Sequence, residues 1–266
     1  MAACTFIDYA MLPLEIFQRQ PLDHTMSELD PNLLSKLNDF VSVSELSRDG
    51  RLKLPPERAL CERFSLHRTS VRNVLSVLQS LGFIERKQGS GTFLKMPQPV
   101  FIQLYFELAL KLNYISVDHL ESAREMFERE IIQAASSNFN SKDIERLESL
   151  CNRIVNSTDV LEGIEADYEF HEQLAIMARN PAILIIFQGL SSVLKKVLHQ
   201  RRVLARQSPE AQKKTNETHI AIVQALKTRD PELARQAMDS HFETWNQQTM
   251  KVYRETASAL VDPSSS

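Results

Sequence analysis

Three runs decide the fold: Leu54-Pro55-Pro56-Glu57-Arg58-Ala59-Leu60, then Arg68-Thr69-Ser70-Val71-Arg72, then Gly82-Phe83-Ile84-Glu85-Arg86-Lys87-Gln88-Gly89-Ser90-Gly91-Thr92-Phe93. Pro55-Pro56 opens a helix, because proline is tolerated in a first turn whose amides have no helical acceptor anyway. That helix runs through Leu60, Cys61 and Phe64. A second helix starts near Arg68 and places Val71, Val74, Leu75, Leu78 and Leu81 on one apolar face. Gly82 stops it. Two short β-prone pieces around Gln88-Gly89-Ser90-Gly91 then read as a hairpin. Upstream, Leu33, Leu34, Leu37, Phe40 and Val41 recur at helical steps from Pro31, and Asp49-Gly50 forms a turn.

Helix, helix, helix, hairpin is the order of a winged helix-turn-helix. In that arrangement the second of two short helices enters the major groove of DNA, and side chains near its N-terminus reach base edges. Arg68 and Arg72 are four apart and share a face. A guanidinium there bonds the O6 and N7 of guanine in a bidentate way. Thr69 and Ser70 can donate to phosphates, and the helix N-terminus attracts an anion. Arg58 can reach base or backbone from the preceding helix. The hairpin tip, with Gly89 and Gly91, can approach a phosphate or the minor groove closely because glycine carries no side-chain bulk.

Charge agrees with that reading without requiring it. Residues 51–95 hold nine Lys and Arg against three Glu, a local +6 in a chain of net charge -3, so the remainder carries about -9. A basic segment in an acidic protein is either a nucleic-acid footprint or a solvated helix face.

The chain of 266 residues is long enough for about two domains. With 43% hydrophobic and 24% charged residues it is neither disordered nor a disulfide-built miniprotein, and its 6 Gly and 11 Pro are too few for an all-β sandwich. The apolar run Ala182–Phe187 is far short of a membrane span, and Met1–Ala10 lacks a basic leader. Cys4, Cys61 and Cys151 are scattered, as expected of reduced thiols in the cytoplasm. Pro97-Gln98-Pro99 marks a stiff linker. The expected organisation is an extension over 1–28, in which Tyr9–Phe17 can form a short helix. A winged module follows over 29–96, then a linker at 97–100, an all-helical domain over 101–256 and a tail over 257–266. Helices are expected near 101–113, 117–137, 141–156, 159–178, 181–206, 209–228 and 231–255. Their caps are offered by Asn140-Ser141, Ser157-Thr158-Asp159, Asn180-Pro181, Ser208-Pro209 and Asp230-Pro231. The fold class is therefore mainly α, a winged helix-turn-helix with three helices and a hairpin, followed by an all-α bundle.

The helical half contains a second pattern. Asp167 and His171 are i and i+4 on one helix face, His219 lies 48 residues on and His241 a further 22. Each imidazole sits in an apolar run, as in Phe170-His171, His219-Ile220-Ala221-Ile222 and His241-Phe242, so each faces the interior. One carboxylate and three imidazoles can hold zinc, nickel, copper or iron, and the carboxylate extends the choice to manganese. Hydrogen-bonded core histidines are the alternative. His24, His67, His119 and His199 show no such pattern, although His199 is a candidate for the cavity wall.

The three runs quoted first resemble the GntR family of bacterial transcription regulators over about residues 32–95. The resemblance implies that Arg58, Arg68 and Arg72 contact an operator, with Gln88-Gly89 assisting. His67 stands where the family usually has Ser, and Asn73 where it usually has Glu. The Asp-x-x-x-His…His…His order over about 117–250 resembles the metal-binding FCD type of sensor domain, in the FadR-like branch of that family. That likeness implies a dimerising bundle of six or seven helices, a divalent metal on Asp167, His171, His219 and His241, and a small carboxylate effector filling open coordination positions. It also implies that Arg124 lies at the effector pocket, where the alternative is a surface salt bridge to Glu128.

The leading expectation is a homodimeric, ligand-responsive regulator that reads a palindromic double-stranded DNA operator, with no enzymatic activity and no membrane partner. Two alternatives differ in the metal: a DNA-binding regulator with a purely structural ion, or a metal-dependent hydrolase. No HExxH, second metal set or evident general base supports the hydrolase.

Overall fold

The computed structural model describes residues 31–47, 50–96, 98–206 and 208–261. The expectations for residues 1–28 and for the last residues of the tail lie outside these, as do Cys4 and His24. The chain divides into two compact units between Tyr114 and Ile115, beyond the linker expected at 97–100.

In the first unit the order is α1 (Pro31–Ser42), β1 (Glu45–Leu46), β2 (Leu52–Lys53), α2 (Glu57–Phe64), α3 (Arg68–Ser80), β3 (Ile84–Lys87), β4 (Gly91–Leu94) and α4 (Val100–Lys111). The 3.6-residue spacing of Val71, Val74, Leu75 and Leu78 buries one face of α3 against Phe40, Leu54, Leu60 and Ile84. Phe40 and Phe64 stack at 5.3 Å between ring centroids. Ser65, in the left-handed region at φ 51, ends α2 and turns the chain into α3. Gly82 is required at the end of α3. Its φ is +82, and a Cβ there would lie 2.7 Å from the Gln98 carbonyl oxygen.

The hairpin of β3 and β4 pairs Ile84 with Leu94 and Lys87 with Gly91. It is part of an antiparallel four-stranded sheet, ordered β1-β2-β4-β3, because Lys53 pairs with Phe93. The two-residue strands β1 and β2 were not expected from the sequence; they are too short for any alternation to register. Helix α4 falls in the first unit rather than with the helical domain, and the break after it is made by Asn113 at φ 59.

The second unit is all-helical: α5 (Val117–Asn138), α6 (Ser141–Asn156), α7 (Val160–Met177), α8 (Pro181–Val197), α9 (His199–Arg206), α10 (Pro209–Lys227) and α11 (Pro231–Val261). The caps read from sequence are made. Asn140, Asp159, Asn180, Ser208 and Asp230 each accept a first-turn amide with the side chain. Arg179-Asn180-Pro181 and Arg229-Asp230-Pro231 are one device used twice: a left-handed arginine, a capping side chain and a first-turn proline. Two expectations need correction. The single helix expected over 181–206 is broken at Leu198, where ψ of 0 departs from the helical value, leaving α9 as an eight-residue segment. The last helix runs through Val261, into the expected tail. The core gathers Ile131, Leu147, Leu150, Phe170, Leu174, Phe187, Ile222 and Met238 from α5, α6, α7, α8, α10 and α11. Among the described residues no helix is long and apolar enough to cross a membrane.

Candidate metal centre and nucleic-acid face

At the start of α3 the residue before Arg68, His67, is extended and its side chain caps nothing. The first-turn amides of this helix therefore receive no side-chain acceptor from that position, an arrangement that suits an incoming anion. Arg68, Thr69 and Arg72 are exposed and Ser70 is half-buried. Arg68 and Arg72 converge on one carboxylate. Glu57, in the first turn of α2, places Oε2 3.0 Å from Arg72 Nε and 3.6 Å from Arg68 Nε, and Oε1 3.9 Å from Arg86 Nη1 on β3. The Arg72 hydrogen bond holds the Glu57 carboxyl below its ordinary value, against the opposite push of partial burial. Arg58 stands apart, fully solvated and 3.4 Å from Glu62. Gln88 and Gly89 form the exposed turn between β3 and β4. The sequence reading missed the tie from Glu57 to Arg72 and Arg86, since partners 15 and 29 positions apart leave no local period.

In the second unit His171 from α7, His219 from α10 and His241 from α11 come together, all buried. One nitrogen of each lies within 4.8 Å of the other two. Each ring is oriented from outside by a different group. His171 Nδ1 abuts Glu128 Oε2, His219 Nδ1 lies 2.8 Å from the Thr215 carbonyl oxygen, and His241 Nδ1 lies 3.0 Å from Thr218 Oγ1. Facing a carbonyl, His219 Nδ1 donates its N–H to the Thr215 oxygen, and Nε2 is the nitrogen turned toward the other two rings. Nε2 is buried without a hydrogen-bond partner and lies 3.0 Å from Asp167 Oδ1. Nε2 of His171, also buried and without a hydrogen-bond partner, is 4.0 Å from the same oxygen. Burial keeps His171 neutral in spite of Glu128, and burial together with the neighbouring His219 and His171 holds His241 well below the usual histidine value. Three buried imidazoles with converging nitrogens beside a carboxylate are a donor set that could hold a metal ion.

Asp167 lies beside this triad rather than among it. Burial alone would push its carboxyl up, but the Arg202 guanidinium and the His219 ring hold it well below the usual carboxylate range. Arg202, on α9, contacts Asp167 Oδ2 and was not anticipated; it belongs to no motif. Arg124 on α5 pairs with Glu128 one turn on, as the alternative reading had it, but the pair is buried and not on the surface. Glu128 thus bridges Arg124 and His171. Arg124, Asp167, Arg202, His241 and Trp245 line a cavity of about 40 Å³. His199 is exposed at the start of α9 and does not line it.

Residues 51–94 match the bacterial regulatory proteins of the gntR family, and residues 119–244 match the FCD domain. The chain is 32% identical to the HTH-type transcriptional regulator YcbG of Bacillus subtilis, covering 71% of this chain and 77% of that protein. It belongs to the GntR family of regulators. It is also 28% identical to the HTH-type transcriptional repressor NanR of Cronobacter sakazakii, over 74% of this chain and 78% of that one. The fold is shared with a GntR protein of Streptococcus agalactiae at a TM-score of 0.63 and 19% identity, covering 81% of this chain and 99% of the other. A DNA-binding module of the GntR type followed by an FCD domain makes this a transcription regulator and not an enzyme, which sets the hydrolase alternative aside.

Proposed function

We propose that this chain acts in the cytoplasm as a homodimer that reads a palindromic operator with α3, and that a small organic acid bound in the second unit modulates that binding. In this reading Asp167, His171, His219 and His241 hold a divalent ion, with zinc the first choice and nickel, manganese or iron compatible. The observation that carries it is the buried triad itself: one nitrogen of each ring lies within 4.8 Å of the other two, and Nε2 of His171 and of His219 has no hydrogen-bond partner beside the Asp167 carboxylate. Buried nitrogens without a partner are unfavourable, and a bound cation supplies one. A divalent ion held there supplies coordination positions to which a carboxylate can bind. The protein's own groups do the rest. Glu128, Thr215 and Thr218 fix the ring orientations, and Arg124 lends positive charge to the cavity wall. Arg68 and Arg72, with Thr69 and Ser70 beside them, face the duplex, while Arg58 and the Gln88-Gly89 tip flank them. The effector works only through a difference in its affinity for the DNA-competent and DNA-incompetent arrangements.

Elemental analysis of the purified protein tests the site. Near-stoichiometric metal is expected. A chelator should lower Tm by roughly 5–10 °C, the loss of about 2.7 kcal/mol for an ion present at a hundredfold its Kd. Only trace metal, with Tm indifferent to chelator and to added zinc, sinks the metal reading. One observation favours a purely structural ion: a 40 Å³ cavity holds a few waters and no organic acid. That variant wins if metal is bound and stabilising while operator affinity ignores every small acid offered.

A further inference from the structure

Residues 51–95 hold nine Lys and Arg, and the recognition reading uses three of them, Arg58, Arg68 and Arg72. Strand alternation sorts others around the hairpin. On β3, Arg86 shares a face with the buried Ile84 and turns toward Glu57 on α2. Glu85 and Lys87 therefore lie on the opposite face, which is open to solvent. Glu85 pairs with Phe93 and Lys87 with Gly91, so those two positions of β4 belong to the same face. Lys53 on β2 joins it, paired with Phe93 from the other side. The Lys53 side chain does not stay opposite Phe93. It leans along β4 toward the turn. Its Nζ is 5.5 Å from the Phe93 ring centroid, and its Cε takes the space of the side chain that Gly91 lacks, 2.6 Å from where a Cβ would stand. Gly91 thus lets an ammonium from β2 lie at the end of the hairpin turn, with Lys87 across the ladder from it.

Charge on this face is uneven. Arg51 and Lys87 both reach Glu85, at 3.1 and 3.2 Å, so one carboxylate serves two cations. Lys53 forms no ion pair among the described residues, although Glu45 on β1 stands opposite it in register. The hairpin therefore presents cations on both faces: Arg86 on the side of the helices, and Lys53 with Lys87 on the far side. A groove of duplex DNA is walled by two phosphate strands, about 6 Å apart in the minor groove. A hairpin tip that enters it has a phosphate strand on each side. We propose that Lys53, with Lys87 beside it, is a DNA phosphate contact, made to the strand on the opposite side of the hairpin from Arg86. Gly91 is then more than a turn residue, because a side chain there would displace the Lys53 ammonium. The inference rests on the DNA-binding role of the first unit and is independent of the metal reading.

Binding of the full chain to a random-sequence duplex, followed by fluorescence anisotropy between about 50 and 200 mM salt, tests it. Each phosphate contact releases counterions, so Lys53→Gln should lower the log-log salt slope by about 0.9. Lys53→Gln combined with Lys87→Gln should lower it by about 1.8. Lys53→Arg keeps the charge and should retain the wild-type slope. Affinity should fall by the same factor on duplexes of different sequence, because a phosphate contact carries no base information. Thermal melts establish that the variants fold. A lysine that merely covers Phe93 would lower Tm in Lys53→Gln and leave the slope at its wild-type value, and that result overturns the proposal. So does a slope loss that Lys53→Arg fails to restore, or an affinity loss that depends on duplex sequence. A double variant with the slope of Lys53→Gln removes Lys87 from the contact. A wild-type chain that binds no duplex at any salt overturns the DNA-binding role itself, whereas a wild-type slope in Lys53→Gln overturns the phosphate contact alone.

Discussion

Glu57 in the first unit and Glu128 in the second each sit among basic side chains, and the two clusters differ chiefly in water. In the first unit Glu57 faces Arg68, Arg72 and Arg86 at 3.0–3.9 Å, with side chains 27–72% exposed. In the second, Glu128 faces Arg124 and His171, with side chains 1–6% exposed. Exposed ion pairs are worth little and exchange readily, so the Glu57 arrangement can give up its arginines to phosphates and bases when DNA arrives. A buried pair cannot let one partner go without stranding the other. The same chemistry therefore makes a loose holder in the first unit, at the proposed DNA face, and a rigid frame in the second, at the proposed metal site.

The sharpest way to break that contrast is to remove each glutamate in turn. Glu128→Ala strands a buried guanidinium and removes the group that orients His171, so a loss of about 3–5 kcal/mol is expected. In a domain of this size that is on the order of 10 °C in Tm by thermal melting. Metal affinity should fall about 10–100-fold with it, as for other groups that orient a metal-binding ring. A melting point within 2 °C of wild type would mean that Glu128 is not the frame described here.

At the exposed face the effect moves from stability to recognition. Arg68→Ala and Arg72→Ala should each cost about 1–3 kcal/mol of discrimination between operator and random duplex, measured by fluorescence anisotropy at fixed salt. Their melting points should hardly change, since both side chains are more than half exposed. Equal operator preference in both variants and wild type would refute the placement of α3 in the groove.

What the sequence revealed follows the same division. The winged module was legible because its signals are local: prolines at a first turn, apolar residues at 3.6 spacing along α3, glycines around a hairpin tip. The histidines were legible as a set because Asp167 and His171 share a helix face and each imidazole interrupts an apolar run. The orienting groups were not. Thr215 acts through its backbone carbonyl, which any residue carries. Arg202 reaches Asp167 from 35 positions away, on a segment that reads as the end of one long helix. Glu128 was visible only as an i+4 partner of Arg124, and nothing in its spacing says that the pair is buried. The strands β1 and β2 are paired by their neighbours in space, not by any pattern of their own.

The smallest effect is the most pointed test of the loose holder. Glu57→Gln removes a charge that three arginines share, yet the contacts are solvated, so stability should fall by less than about 1 kcal/mol. The carboxyl of Glu57 is held below its ordinary value of 4.5. Its contribution is therefore fully present above that value and is lost as pH falls through the lowered one. At neutral pH wild type and Glu57→Gln should differ most, and the gap should close on acidification below about pH 4. On DNA the variant should bind random duplex more tightly than wild type, with a log-log salt slope steeper by up to about 1, because arginines released from Glu57 are available to phosphates. If Glu57→Gln instead melts several degrees lower at neutral pH and binds random duplex no better, the cluster is a structural brace. The contrast between a loose holder and a rigid frame would then give way to two frames of the same kind.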